Sequence, residues 1–328
     1  MSPTTPPPPG TGDVVAGAGP IGRRRFLALL GAAGAAVAVG GRLRPAGAQT
    51  PPVPNGYVVA WPDGVIAGDP TPDGTVLWTR VEPPAGAEPV PVTWEVAADD
   101  AFTSIVAGGV AVAESSADWT VKVPVTGLAA DGWLHYRFLV GADAGPVGRL
   151  RTAPPAGTPT ASLRFGFASC QQRGTERVAQ RAASEEAGLD FFVHLGDYVY
   201  ETTGDSSFQG GAKERAIEFD DEAGAIPLVG SNGSTYYAAR SLDNYRQLYR
   251  TVRGDAALQA VHERLAMVAV WDDHEFSDDC WGSVATYHDG REDELDAARR
   301  SAANQAWFEY MPVDYADPGY TYDPAVAP

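Results

Sequence analysis

The sequence predicts a two-domain α+β chain, and three observations predict it. Between about residues 55 and 153, short β-branched and aromatic segments alternate with Gly, Pro and Asp turns, with no helical stretch among them. The Pro-rich stretch Arg151-Thr152-Ala153-Pro154-Pro155-Ala156-Gly157-Thr158-Pro159 then reads as a linker. Beyond it, three apolar runs each stop at a chemically unusual residue, and a helical pattern separates the first two. Strand, helix, strand with a short connection implies parallel pairing at the centre of a sheet.

Composition bounds what such a chain does. Its 328 residues suffice for about two domains of roughly 100 to 200 residues each, and 44% apolar residues are ample for packed cores. Acidic residues outnumber basic ones 42 to 24, for a formal charge of -18. That balance argues against a nucleic-acid-binding domain, because neutralising phosphates by counterion release needs a basic surface. It suits a secreted protein and leaves carboxylates to serve as hard oxygen ligands. Two cysteines, Cys170 and Cys280, are too few for a disulfide scaffold; one bridge, a ligand role and a free thiol all remain open.

Residues 1–48 read as a signal peptide. Residues 1–20 are rich in Pro, Gly, Thr and Ala and lack apolar periodicity, as an unstructured segment does. Arg23-Arg24-Arg25-Phe26-Leu27 precedes a small-residue apolar run, Ala28 to Val39, and Ala46-Gly47-Ala48 closes it as a cleavage site after Ala48. The Arg-Arg-x-Phe-Leu core is the twin-arginine form, which the twin-arginine export machinery reads as an address. The apolar run falls short of the roughly 20 residues that cross a bilayer, so no transmembrane anchor is expected in the mature chain. The expected location is the periplasm, cell envelope or exterior of a bacterium. Twin-arginine export carries folded proteins, often with metal in place, which favours a metalloprotein.

In residues 55–153 the strand candidates are Val76 to Val81, Val92 to Val96, Thr120 to Val123 and Leu134 to Val140. Their spacing predicts an immunoglobulin-like or fibronectin type III-like β-sandwich. His135 alternates with aromatics along a strand and is read as structural. Trp78, Trp94, Trp119 and Trp133 are read as core or sheet-face residues, with sugar binding as the alternative.

The second domain spans residues 160–328. Leu163 to Ser169 stops at Cys170; Phe191 to Leu195 stops at Gly196-Asp197-Tyr198-Val199-Tyr200-Glu201; Met267 to Trp271 stops at Asp272-Asp273-His274-Glu275. A helix is expected from Glu176 to Ala187, where Val178, Ala179, Ala182 and Ala183 share one face. All three stops then lie on one edge of one sheet, where open α/β sheets place their ligand crevice. Thiolate, carboxylate, phenolate and imidazole are metal ligands, and one thiolate among hard oxygen donors suits iron or zinc beside a harder ion such as calcium or magnesium. A carboxylate such as Asp197 can bridge two metals about 3.5 to 4 Å apart, the arrangement that serves phosphoryl transfer. The set fits a binuclear hydrolase. Each residue keeps a plainer alternative: a core thiol for Cys170, packing for Tyr200, a turn for Asp197, a structural ring for His274. His194, inside its strand, is read as core or as support behind the ligands.

Gly196-Asp197 and Asp273-His274-Glu275 resemble two motifs of the calcineurin-like metallophosphoesterases, with Asp273 where most members carry Asn. Ala168-Ser169-Cys170-Gln171, Gly196 to Glu201 and Trp271 to Glu275 together resemble the branch called alkaline phosphatase D, or PhoD; Gly64 to Pro70 with Leu77-Trp78-Thr79-Arg80 resembles its N-terminal domain. The likeness runs from about residue 23 to about residue 312. It implies an αββα metallophosphatase domain and a secreted phosphomonoesterase or phosphodiesterase. It implies that Cys170 and Tyr200 bind a ferric iron (Fe3+), that Asp197 bridges it to a second metal, expected to be Ca2+, and that Asp273 binds that second metal. His274 protonates the leaving group or contacts the phosphate, a metal-held water or hydroxide attacks phosphorus, and Asp272 is read as standing behind the ligands, with direct ligation as the alternative. The alternatives are a phospholipase-D-like diesterase on the same scaffold and a non-catalytic envelope-binding remnant.

Residues 201–235, Gly-rich and acidic, are expected to form a loop covering the site. Helices are expected from Tyr236 to Val252, with Arg246 and Arg250 off its apolar face, and from Asp296 to Tyr310, stopped by Pro312. Asp278, Asp279 and Cys280 are read as a loop shaping the site. The resemblance requires further histidine ligands, typically in a Gly-Asp-x-His segment, whereas His288 is the one histidine after His274. The expectation is a C-terminally truncated chain with an incomplete metallophosphatase domain and doubtful activity.

Overall fold

The computed structural model describes residues 59–87, 89–171, 186, 188–204, 217–230, 233–285 and 294–314, all within one compact unit spanning Leu43–Pro328. The expected signal peptide and, but for Glu186, the expected helix Glu176 to Ala187 lie outside these residues.

Seven strands come first: β1 (Val65–Gly68), β2 (Gly74–Arg80), β3 (Val90–Ala97), β4 (Ile105–Ala113), β5 (Thr120–Thr126), β6 (Trp133–Val140) and β7 (Asp143–Arg151). They form two antiparallel layers, β4-β3-β6-β7 and β5-β2-β1. Successive side chains on a strand point to opposite faces, so Leu134, Tyr136, Phe138 and Val140 of β6 enter the shared core while Trp133 turns outward. There Arg149 stacks on the Trp133 ring at 4.1 Å. Val65, Ala67 and Leu77 close that core from the other layer.

The second layer does not end at the linker. β1 pairs in parallel with β13 (Ala266–Ala269), and the sheet continues through β9 (Phe191–His194) to β8 (Phe165–Ala168). β1 and β2 are buried on both faces: Val65, Ala67 and Leu77 face the sandwich, and Ile66 and Trp78 face a second core built on the helices. Trp78 donates from Nε1 to the Glu309 carbonyl at 2.7 Å, and the Arg253 guanidinium lies 4.1 Å over its ring. A strand pair covered on both faces is buried at every position, and its polar residues are satisfied there: Thr75 and Thr79 donate to the carbonyls of Gly68 and Gly64, and Arg80 pairs with Asp63.

Between β9 and β13, β10 (Thr202–Thr203), β11 (Ile226–Val229) and β12 (Thr235–Ala238) form a small antiparallel sheet, order β10-β12-β11, around Ile226, Leu228, Tyr236 and Ala238. The sequence predicted loop for 201–235 and a helix from Tyr236; Pro227 and the brevity of each strand hide the two-residue period. Helix α1 (Leu242–Arg253) starts after them, with Ser241 and Asn244 forming a capping box at 3.2 Å each way. Tyr245, Leu248 and Tyr249 face the core, while Arg246 pairs with Glu309 at 2.7 Å and Arg250 with Asp118 at 2.6 Å. Helix α2 (Ala256–Arg264), which the sequence did not suggest, is capped by Asp255 on the amide of Ala257 at 2.9 Å. After a short hairpin of β14 (Val284–Ala285) and β15 (Glu294–Leu295), helix α3 (Ala297–Tyr310) starts from Asp296, which caps Arg299 at 2.9 Å.

Candidate metal centre

The three strand ends singled out in the sequence are neighbours. β8, β9 and β13 run parallel in register, with Ala168 and Ala269 both paired to His194, so the chain leaves all three on the same edge. The turns beyond them are stitched together: the amide of Cys170 donates to the Gly196 carbonyl at 3.1 Å and that of Gln171 to the Asp197 carbonyl at 3.0 Å. Cys170 and Asp197 take φ values of 55° and 54°, left-handed conformations uncommon outside glycine and concentrated at functional sites. Gly196, at φ +96°, abuts the third turn so closely that a β-carbon there would lie 2.3 Å from Cβ of Asp272.

Asp197, 5% exposed, is the centre of the arrangement. Its Oδ2 accepts from the Tyr200 hydroxyl at 3.4 Å, and Oδ1, fully buried, has no hydrogen-bond partner. Ligand atoms of Asp197, Asp273 and His274 lie within 4.8 Å of one another, as do those of Asp273, Asp278 and Asp279. The His274 ring lies 4.2 Å from that of Tyr200. Its Nδ1 bonds to Glu201 Oε2 at 2.8 Å, and its Nε2 approaches Asp278 Oδ1 at 3.5 Å. Asp197, Asp273 and His274 thus form one cluster with Tyr200 against it, while Cys170 is tied to the Asp197 turn through its backbone.

Electrostatics mark the site as short of positive charge. Burial, reinforced by the charges of Asp273 and Asp272, raises the Asp197 carboxyl against the lowering effect of the neighbouring Cys170 thiol and His274. Burial, then the Asp197 and Cys170 charges, push the Tyr200 phenol up strongly. The Cys170 thiol is also held high: the Ser169 bond lowers it, and burial together with Asp197 outweighs that. For His274, burial favours the neutral ring, yet the Glu201 bond and the surrounding carboxylates override it and push the value up to about 9. A buried acceptor without a donor, ringed by acids, suits a cation, and this mixture of oxygen, nitrogen and sulfur donors fits a transition metal beside a harder ion.

Two buried acids escaped the sequence. Glu275 is fully buried and its carboxylate takes three backbone donors, Asp197 at 3.1 Å, Tyr198 at 2.6 Å and Asp272 at 2.9 Å. Burial drives its carboxyl up to about 8 against those three bonds. Asp272 in turn accepts from the Asp273 amide at 3.0 Å, so Asp272 and Glu275 form a capping box around the short 3-10 turn Asp273–Glu275. The acid three residues after an N-cap acid is the signal that could have found it. Glu201, also fully buried, holds His274 with one oxygen and the Asp278 amide with the other at 2.8 Å.

The remaining candidates stand further off. His194 is 1% exposed and packs edge-on to Tyr198 at 5.0 Å; burial drops its ring to about 4. Cys280 Sγ contacts the Asp273 carbonyl at 3.6 Å and Arg300 at 3.7 Å. Both cysteines are free, which closes the alternative of a bridge. Arg246 and Arg250 are engaged in ion pairs with Glu309 and Asp118. His288 lies outside the described residues.

Side chains of this kind, delivered by three adjacent parallel strands of an α+β fold, define a candidate metal-binding site. The PhoD-like phosphatase family matches residues 165–323, and the N-terminal domain of PhoD-like phosphatases matches residues 50–154. The chain belongs to this family. Alkaline phosphatase D of Bacillus subtilis (strain 168) is 35% identical over 262 residues, which is 76% of this chain and 41% of that protein. A solved structure of PhoD superposes with a TM-score of 0.66 at 32% identity, covering 83% of this chain and 49% of that one. The chain therefore spans less than half the length of each of these relatives.

Proposed function

We propose that the chain carries the centre of a secreted, metal-dependent phosphoric ester hydrolase of the alkaline phosphatase D type, acting on phosphate monoesters and diesters. The observation that carries this is the buried carboxylate of Asp197, with Oδ1 unpartnered, grouped with Asp273 and His274. Asp197 would bridge Fe3+, held also by Cys170 and Tyr200, to Ca2+, held also by Asp273. When bound, such a metal pair neutralises phosphoryl charge and lowers the pKa of the attacking water. The protein's own part is to place and protonate. Water adds to phosphorus as the bond to the leaving oxygen breaks; His274, kept protonated by Glu201, gives its proton to that oxygen, and the proton shed by the water passes through solvent to restore His274. Asp272 and Glu275 hold the turn that presents Asp273 and His274.

The family match and the arrangement of the first strands support residues 55–153 as an immunoglobulin-like or fibronectin type III-like module preceding a metallophosphatase domain at 160–328, with β1 and β2 serving both. The twin-arginine segment in 1–48 supports export to the bacterial envelope or beyond. Hydrolysis of p-nitrophenyl phosphate and bis-p-nitrophenyl phosphate after loading with Fe3+ and Ca2+ tests the proposal. Turnover is expected on loading and is lost in Asp197→Asn; no metal-dependent turnover on either ester refutes it.

A further inference from the structure

We propose that Glu275 is a positioning residue that sets the distance between the two halves of the metal centre. This rests on the proposed metal-dependent function and adds a residue that touches neither metal nor substrate. Asp197 leaves β9, whereas Asp273 and His274 leave β13. The strands are fixed by their ladder, but the ligands sit beyond it, on turns that no ladder bond restrains. Two buried acids span that gap: Glu201 reaches His274 and the Asp278 amide further out, while beside Asp197 the fully buried Glu275 carboxylate binds the amides of Asp197 and Tyr198 on one turn and of Asp272 on its own.

The close approach of Gly196 to Asp272, with no room for a β-carbon, shows how tightly the two turns are drawn together. Oε2 is shared by the Asp197 and Asp272 amides while Oε1 serves Tyr198, so all three donors depend on a group with two acceptor oxygens. An amide in its place offers one acceptor and turns an NH2 toward a backbone N–H. An aspartate keeps both oxygens but is one methylene short. Residues that orient metal ligands typically change metal affinity about 10- to 100-fold when replaced.

The test uses Mn2+ as the probe, followed by electron paramagnetic resonance on the full chain, with near-ultraviolet circular dichroism to confirm the fold. Glu275→Gln is expected to weaken Mn2+ binding about 10- to 100-fold, and Glu275→Asp to recover part of the loss. Folded variants that bind Mn2+ as tightly as the unaltered chain overturn the inference. An unaltered chain that binds no Mn2+ overturns the metal centre itself, and this inference with it. Should the variants not fold, hydrogen exchange in the unaltered chain decides. The amides of Asp197, Tyr198 and Asp272 are expected to be protected as strongly as those of β9, and exchange at open-loop rates contradicts the clamp.

Discussion

Replacing Gly196 with alanine strikes the junction on which the candidate centre depends, and its cost can be worked from the structure. At φ +96° any β-carbon is strained, by about 1 to 2 kcal/mol. The added carbon would also lie 2.3 Å from Cβ and 2.8 Å from the backbone nitrogen of Asp272. Neither is the far end of a flexible side chain, so the Asp272 turn has to move, with an overpacking cost of about 1 to 3 kcal/mol. Together the two effects predict a loss of about 2 to 5 kcal/mol. Gly127 separates them: it has φ +80° and nothing within 4 Å of a β-carbon, so Gly127→Ala carries the backbone term alone. Urea denaturation of both variants and the unaltered chain, all metal-free, is the assay. If Gly196→Ala loses no more stability than Gly127→Ala, the turns are not in contact and the packing of the site is wrong.

Other outcomes follow from the same coordinates. Asp118 meets Arg250 at 2.6 Å, Arg80 at 3.6 Å and the hydroxyl of Tyr310; Asp118→Asn, which tolerates the φ of 52°, should cost about 2 to 4 kcal/mol in a urea melt, and a neutral result would show that these pairs do not tie the sandwich to the helices. His194 is buried with its ring near 4, so the unfolded chain takes up a proton near 6.5 while the folded one waits until about 4. Stability from this residue is therefore full above about pH 6.5 and falls by about 3 kcal/mol as pH drops to about 4; His194→Gln should flatten that part of the pH–stability curve, and an unchanged slope would contradict it. Asp197→Asn should leave the metal-free chain as stable or more stable, since it removes a buried carboxylate beside Asp272 and Asp273; a large drop in melting temperature would mean that Asp197 serves the fold rather than a cation.

The site was more legible than the frame that holds it. Cys170, Asp197 and Asp273 stand out as candidates because each follows an apolar run, and a run that ends in a reactive group shows in sequence whatever the fold around it. The ladder that brings the three ends together could be inferred from the βαβ pattern, but not the continuation of the sheet into the first strands. β1 and β2 are buried on both faces, and their residue pattern does not say which partners will cover them. The spacing of Asp272 and Glu275 marks a capping box, but no spacing encodes the backbone donors that Glu275 and Glu201 accept from turns 77 or 78 residues away. The strands at 226–238 were lost to brevity and to Pro227. Helix α2 was lost because nine residues give barely two and a half turns over which an apolar stripe can repeat.

Retention of metal by the chain tests the candidate centre most directly. Protein loaded with Fe3+ and Ca2+ and then dialysed should keep one of each per chain by elemental mass spectrometry, and Asp197→Asn, the substitution at the proposed bridging position, should keep neither. An unaltered chain that emerges from dialysis free of metal, or an Asp197→Asn chain that keeps its full complement, would contradict the assignment of Asp197 as the bridging ligand.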